Sequence, residues 1–509
     1  MKKGEVLTIR LNKRDNVVVA IRALDSGDHL DSENLSVSGP IPAGHKVSSC
    51  GIQKGEYILK YGQIIGMASA EIKAGEHVHT HNVEMSEFSR DYSVGSDVSP
   101  TDVLPEKERV TFDGIIRSDG QVATRNYIGV LPSVACSASV CRYIADAFTP
   151  EILSEFPNVD GVVGITHTAG CGGPAYGDGF DILRRSLTGY AQHPNFWGVL
   201  FVGLGCEVNQ IIPMLTDAGI ETGSRVHLLT IQDTGGTKQT INRGVDIIKT
   251  ILPEANRVKR QPVSASNLVL GMECGGSDAY SGITANPALG VAADLVVRNG
   301  GTSILSETTE IHGAEHLLTR RASSPEVATK LVDLIHWWGN YAEKNGTTIN
   351  NNPTPGNKEG GLTTILEKSL GAVAKGGSTN LVAVYGYAEI VCQKGFVFMD
   401  TPGYDPVSIT GMIAGGANVI CFTTGCGTVF GCKPTPVIKL ASNSSIYKKL
   451  LGDMDINCGI VIDGEKNLNE MGEIIFQEIL DTASGKKTKS EHFGFGDNEF
   501  VPWQIGAVL

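Results

Sequence analysis

The stretch Gly271–Pro287 holds a thiol (Cys274), two carboxyls (Glu273, Asp278), hydroxyls (Ser277, Tyr280, Ser281, Thr284) and an amide (Asn286), spaced by glycines. Those groups can hold a cation, move protons or grip a hydroxylated substrate. The stretch follows the apolar run Leu268–Leu270, which reads as a buried strand. Backbone without Cβ lets a ligand approach closely while polar side chains point inward. A plain glycine-rich turn has the same composition. The case for a site comes from other strand ends that carry loops of the same kind.

Tyr127–Leu131 leads into Cys136, Gly161–Ile165 into His167 and Cys171, and Trp197–Val202 into Gly203, Gly205, Cys206 and Glu207. Val226–Ile231 precedes Gln232–Thr237. Further along, Thr302–Leu305 precedes Ser306–His312, Phe396–Met399 precedes Asp400–Asp405, and Val419–Phe422 precedes Thr423–Pro434. This α/β rhythm predicts largely parallel sheets, whose carboxyl ends form ligand crevices. A dinucleotide fingerprint is excluded, because Gly203 and Gly205 are followed by Val208 where a third glycine is required. Near the amino terminus, His77, His79 and His81 alternate and would share one face of a strand. They suit a metal or an anionic substrate, although a solvated strand edge shows the same spacing.

The elements that position these groups divide into an expected β-rich domain over 1–92, a linker over 93–110, an α/β domain over 111–262 and a second over 263–509. The basic stretch Asn256–Pro262 reads as an exposed boundary. Across 509 residues the net charge is −13 and the pI near 5.4, which argues against a nucleic-acid partner. No apolar run is long enough to span a bilayer, and no apolar h-region follows Met1–Glu5, so a cytoplasmic location without membrane partners is expected. Eleven cysteines without a zinc-ribbon or thioredoxin CxxC pair do not form a disulfide framework.

Taken together, these motifs resemble the altronate/galactarate dehydratase family. Gly44–Lys46 through Asn82 resembles its SAF-type β-clip domain. Gly114–Asn126, Cys274–Asp278, Ser281–Pro287 and Asn352–Lys358 resemble its later motifs. Glu76–Asn82 and His167–Cys171 are more similar to altronate dehydratases than to galactarate dehydratases. One loop departs: where the family shows Gly-Arg-Gly-Thr-Pro-Tyr-Gly, Gly425–Gly431 carries Cys426, Val429 and Phe430.

The resemblance implies a hydro-lyase that removes water from a sugar acid, D-altronate as the preferred substrate, to give a 2-keto-3-deoxy acid. It implies a divalent metal, Fe2+ ahead of Mn2+ or Mg2+, and a homo-oligomer, taken as a dimer. Galactarate, another β-substituted acid such as one losing sulfite, and a non-catalytic sugar-acid binding protein are the alternatives. A base must take the proton α to the carboxylate and an acid must protonate the leaving hydroxyl. His45 and His167 suit these tasks, because imidazole titrates near neutrality, with Cys274 and Asp278 as further catalytic groups. Arg125 and Lys358 would grip the carboxylate, while Ser277, Thr284 and Asn286 would hold hydroxyls. The metal candidates are His45, His79, Cys136, Cys171, Cys206 and Glu207. Four thiolates, Cys136, Cys171, Cys206 and Cys274, would alternatively hold an iron–sulfur cluster.

Overall fold

The computed structural model describes residues 6–505, apart from 87, 89 and 174. The amino-terminal part is β-structured, with short antiparallel strands. Val17–Ala20 lies between Thr8–Ile9 and Lys46–Ser48, and Lys46–Ser48 in turn pairs with His77–Val78. A second antiparallel group joins Tyr57–Lys60, Gln63–Ala68 and Val83–Glu84. Val18, Ala20 and Val47 close its core with Leu24, Leu30, Val37 and Ile41. The alternating histidines are only partly on a strand, which ends at Val78. Asn82 then bends the chain, accepting from the His79 N–H and donating to the His77 carbonyl. The His77 and His79 rings stack with their centroids 5.4 Å apart, and His81 comes within 5.3 Å of His77.

Two parallel sheets follow. The middle sheet comprises β1 (Tyr127–Pro132), β2 (Gly161–Gly164), β3 (Phe196–Gly203) and β4 (Val226–Thr230) in the order β2-β1-β3-β4. The large sheet comprises β5 (Val269–Cys274), β6 (Thr302–Leu305), β7 (Leu381–Tyr385), β8 (Gly395–Met399), β9 (Val419–Thr424), β10 (Val437–Ala441) and β11 (Ile456–Asn457). Its order is β7-β8-β6-β5-β9-β10-β11. β6, β9 and β10 are buried at every residue, as expected of parallel strands covered by helices on both faces. The chain is therefore an amino-terminal β-clip unit followed by α/β units with parallel sheets.

No residue of Asn256–Pro262 is buried, and Arg257, Lys259, Gln261 and Pro262 are exposed, as the charge of the stretch suggested. Arg260–Ser264 is a strand pairing antiparallel with Thr111–Ile116. The Arg260 guanidinium donates to the carbonyls of Asp113, Thr124 and Ala483. The polar segment around 93–110 lies against the large-sheet unit, with Gly95, Asp97 and Leu104 donating to the carbonyls of Thr319, Arg320 and Arg298.

The β-clip unit is fastened onto the large-sheet unit by buried charge. Lys46 Nζ and Lys60 Nζ each lie 2.8 Å from the Glu367 carboxylate, with all three side chains at most 1% exposed. Lys46 also donates to the Gly361 carbonyl at 2.7 Å. Gly361 has φ +100°, and a Cβ there would stand 2.6 Å from the Gly44 carbonyl oxygen, so the approach of the two units requires glycine.

Candidate active site

Four strands of the large sheet deliver their carboxyl ends to one place. β5 ends at Cys274, β6 leads into Glu307 and Glu310, β8 into Asp400 and Asp405, and β9 into Gly425. Cys274 Sγ lies 3.4 Å from Glu307 Oε2 and 3.5 Å from Glu310 Oε2. Lys375 Nζ pairs with Glu307 at 2.7 Å and Lys368 Nζ with Glu310 at 2.6 Å. Asn352 Nδ2 donates to the same Glu310 oxygen at 2.8 Å. All of these groups except Asn352 and Asp405 are buried. Glu307 adopts φ +66°, a left-handed backbone that a residue with a Cβ disfavours; Thr401 Oγ1 and the Thr401 carbonyl hold it by receiving the N–H groups of Glu307 and Thr308.

Two lysine ammoniums stand against Glu307 and Glu310, among acids whose hold on their protons is strengthened by burial. Burial would raise the Glu307 carboxyl, but Lys375 holds it below its ordinary value. Burial would lower Lys368 and Lys375, and the adjacent acidic groups raise both. Burial and the Glu307 charge push Glu273 and the Cys274 thiol upward. Burial, Glu307 and Glu310 push Asp405 up to about 7.

Two oxygens in this cluster, Glu273 Oε1 and Glu307 Oε1, have no hydrogen-bond donor although both are buried. Glu273, Glu307 and Asp405 form one group whose ligand atoms lie within 4.8 Å of one another, and Cys274, Glu307 and Glu310 form a second. A proton held between the two carboxyls, or a cation, satisfies the orphaned oxygens.

His45, His77 and His79 are a third such group, at the seam with the β-clip unit. His45 Nε2 is 3.0 Å from the Glu359 carbonyl, which can only accept, so Nε2 carries the proton; Nδ1 then accepts from His77 Nε2 at 2.9 Å. His79 Nδ1 is buried and has no partner. Burial, reinforced by neighbouring cations and rings, lowers His77 to about 4 and His79 to about 3, so both are neutral at pH 7. The segment 352–361 joins this group to the acid cluster. Asn352 binds Glu310, Asn357 Nδ2 donates to the Ser277 carbonyl, and the Glu359 carbonyl receives His45.

Three consecutive family matches cover the chain: the altronate/galactarate dehydratase SAF domain over residues 6–86, the D-galactarate dehydratase/altronate hydrolase second domain over 114–256, and the D-galactarate/altronate dehydratase C-terminal domain over 265–508. The altronate dehydratase of Bacillus subtilis is 34% identical over 98% of this chain and 99% of that protein. The galactarate dehydratase (L-threo-forming) of Escherichia coli is 37% identical over 96% of this chain and 94% of that protein. The chain belongs to the altronate/galactarate dehydratase family. A (2R)-sulfolactate sulfo-lyase subunit beta of Chromohalobacter salexigens is also similar, 31% identical over 77% of this chain.

In this family member the residues singled out from sequence separate into three sets. Cys274, His45 and His79 lie in the groups just described, and Ser277 Oγ is buried without a partner, available to a ligand. Lys358 is half-buried on the short helix Pro355–Glu359 beside Ser277.

A second set is spent on structure. Asp278 Oδ1 accepts from Ser281 and Ser442, and Oδ2 from Asn443; a Cβ on Gly425 would fall 2.3 Å from its Cγ. Asp278 therefore locks two loops together, and burial raises its carboxyl above the ordinary value. Thr284 Oγ1 donates to the Ser442 carbonyl at 2.6 Å, while Asn286 bridges the Gly371 carbonyl and Thr423 Oγ1. Arg125, expected to grip a carboxylate, is 1% exposed and pairs with Glu491 at 2.6 Å. It also donates to the carbonyls of Thr124, Thr482 and Lys486.

The third set lies at the middle sheet. Both His167 nitrogens serve the backbone, Nε2 toward the Pro132 carbonyl at 3.1 Å and Nδ1 from the Ala169 N–H at 3.2 Å. Burial lowers it to about 4. Glu207 receives Ser133 Oγ and the N–H groups of Leu204 and Gly205. Cys136, Cys171 and Cys206 are free and exposed on this edge, away from Cys274, which is buried among the carboxylates.

Lys368, Lys375 and Asp405 were not singled out from sequence. Lys368 lies inside the helix Ile365–Val373, in which every residue is buried, and Lys375 lies just beyond its end. Two lysines in a segment whose only other polar side chains are Glu367 and Ser369 is the signal that could have found them, because a buried lysine requires a partner.

Proposed function

We propose that this enzyme, a sugar-acid dehydratase and hydro-lyase by family, removes water from D-altronate at the carboxyl edge of the large sheet and yields a 2-keto-3-deoxy acid. The observation that carries the reading is the buried cluster of Cys274, Glu307 and Glu310 with its orphaned carboxylate oxygens. It stands where parallel α/β sheets place ligands.

The same cluster fits a divalent cation. Cys274, Glu307 and Glu310 would hold it, with Glu273 and Asp405 alongside, and a mixed thiolate–carboxylate set favours Fe2+ over Mg2+. When bound, such an ion polarises the substrate carboxylate and its 2-hydroxyl. The chain's own residues do the rest. Lys368 and Lys375 keep their protons and face negative charge as it develops on the carboxylate, in a site where water cannot screen them. His79 Nδ1, buried without a partner, takes the α-proton in the tautomer that leaves its lone pair open; the arriving substrate anion raises its affinity for that proton. His45 and His77 fix the seam through their shared hydrogen bond. Asp405, held near 7, gives its proton to the departing 3-hydroxyl.

The altronate assignment is supported by the end-to-end match to altronate dehydratase and by the His77–His79–His81 segment. Anaerobically purified protein, offered D-altronate, galactarate and 2-sulfolactate with Fe2+ after chelation, tests the reading. The expected outcome is keto-acid release from D-altronate that needs the metal, lost by about 10²-fold or more in Glu307→Gln and His79→Gln. Sulfite release, or turnover of galactarate alone, overturns the substrate. Full activity in both variants overturns the site.

A further inference from the structure

Cys136, Cys171 and Cys206 take no part in the site above, yet the fold brings their loops to one edge. They follow β1, β2 and β3, which are adjacent in the order β2-β1-β3. Hydrogen bonds tie the three loops together beside each thiol. The Ala135 N–H donates to the Ala169 carbonyl at 2.8 Å, the Val208 N–H to the Cys171 carbonyl at 3.0 Å, and Asn209 Nδ2 to the Ser133 carbonyl at 3.1 Å. Glu207 clamps the Cys206 turn onto Ser133. All three thiols are free and exposed.

The loop that carries Cys171 is open. A Cβ on Gly170, Gly172 or Gly173, which flank Cys171, would meet nothing within 4 Å. A cavity of about 920 Å³ opens beside the same loops, lined by Ser139, Arg142, His167, Thr168, Gly170 and Asn209 among others. A mononuclear thiolate centre needs sulfurs about 3.8 Å apart, from tetrahedral geometry with bonds of about 2.3 Å. No three ligand atoms here come within 4.8 Å of one another among the described residues. A four-iron cluster holds one thiolate on each iron and therefore accepts a wider triangle.

We propose that Cys136, Cys171 and Cys206 bind an iron–sulfur cluster at the carboxyl edge of the middle sheet. Three protein thiolates leave one iron of a four-iron cluster for a small ligand in the adjoining cavity. Cys274 is not a fourth ligand, since its thiol is enclosed by Glu307 and Glu310. The proposal is independent of the substrate and of the acid cluster.

The experiment is analysis of the full chain purified under argon, before and after incubation with ferrous iron and sulfide. Iron and acid-labile sulfide in equal amounts, a broad visible absorption, and loss of all three in Cys136→Ser, Cys171→Ser and Cys206→Ser are expected. Cys50→Ser and Cys392→Ser, at exposed thiols elsewhere, should leave the content unchanged. Alkylation mapped by mass spectrometry on the unaltered chain keeps the test valid if a variant misfolds: the three thiols should be protected when loaded and reactive after chelation. Iron without sulfide, zinc alone, or a cluster that leaves these three thiols reactive would overturn the proposal.

Discussion

The two parallel sheets present the same kind of edge and use it in opposite ways. At the large sheet, acids and lysines are buried against one another, two carboxylate oxygens have no donor, and Glu307 is held in a left-handed backbone. At the middle sheet, His167 and Glu207 are engaged by backbone groups and, for Glu207, by the Ser133 hydroxyl, while Cys136, Cys171 and Cys206 are exposed. Strand-end loops alone therefore do not locate the chemistry. What separates the edges is unmet hydrogen-bonding capacity in a dry setting, which is costly unless a ligand meets it.

The sharpest way to break this comparison is to remove one charge from the large-sheet edge. Lys375→Met leaves Glu307 buried without its ammonium, and losing one partner of such a pair costs about 3–5 kcal/mol. Urea unfolding should show that loss together with near-complete loss of turnover. The double variant Lys375→Met/Glu307→Gln should recover much of the stability and none of the activity. At the middle-sheet edge, Glu207→Gln keeps an acceptor for Ser133 and the backbone, so a smaller loss of stability and unchanged large-sheet chemistry are expected. If the Glu207 variant were the more damaging to turnover, the assignment of chemistry to the large sheet would be wrong.

A smaller effect is expected at Arg125, which links the middle sheet to the carboxyl-terminal helices through Glu491 and the Thr482 and Lys486 carbonyls. Arg125→Lys cannot reproduce the planar fork, and the lost charged hydrogen bonds predict about 1.5–3 kcal/mol of destabilisation. KM for the sugar acid should stay as it was, because the guanidinium is enclosed. A raised KM at unchanged stability would restore the substrate-gripping role that its motif suggested.

Arg125 also marks where sequence legibility ends. The apolar runs before Cys136, Cys171, Cys206 and Cys274 are visible as strands, because parallel strands buried on both faces are continuous hydrophobic stretches. The glycine-rich loops after them are visible for the same reason. Which polar residue is spent on the fold is not visible, since Asp278, Thr284 and Asn286 find their partners at Ser442, Asn443, Gly371 and Thr423, far along the chain. Lys368 and Lys375 were hidden in the same way: their partners Glu310 and Glu307 lie 58 and 68 residues earlier in the chain. The resemblance supplied the family. It did not sort ligands from struts.

The two edges also differ in how they meet acid. His79 and His77 at the seam, held at about 3 and about 4, and His167 at the middle sheet, held at about 4, are all lowered by burial from an ordinary value near 6.5. Above 6.5 they are neutral whether the chain is folded or not, and they cost nothing. Below 6.5 the unfolded chain takes up protons that the folded chain refuses, so stability falls as pH drops from 6.5 toward 4. The slope is at most about 1.4 kcal/mol per pH unit for each group. His167, 7% exposed and hydrogen-bonded only to backbone, should contribute close to that limit. His167→Asn should therefore flatten the stability–pH curve by nearly one proton, apart from a uniform cost for the lost bonds. The half-buried seam histidines face water and should contribute less, so His79→Gln should flatten it by a fraction of a proton. Urea midpoints measured between pH 7.5 and 4.5 distinguish the two. A larger flattening from His79→Gln would mean that the seam is drier than its exposure indicates, and would make acid release of the β-clip unit the first step of unfolding.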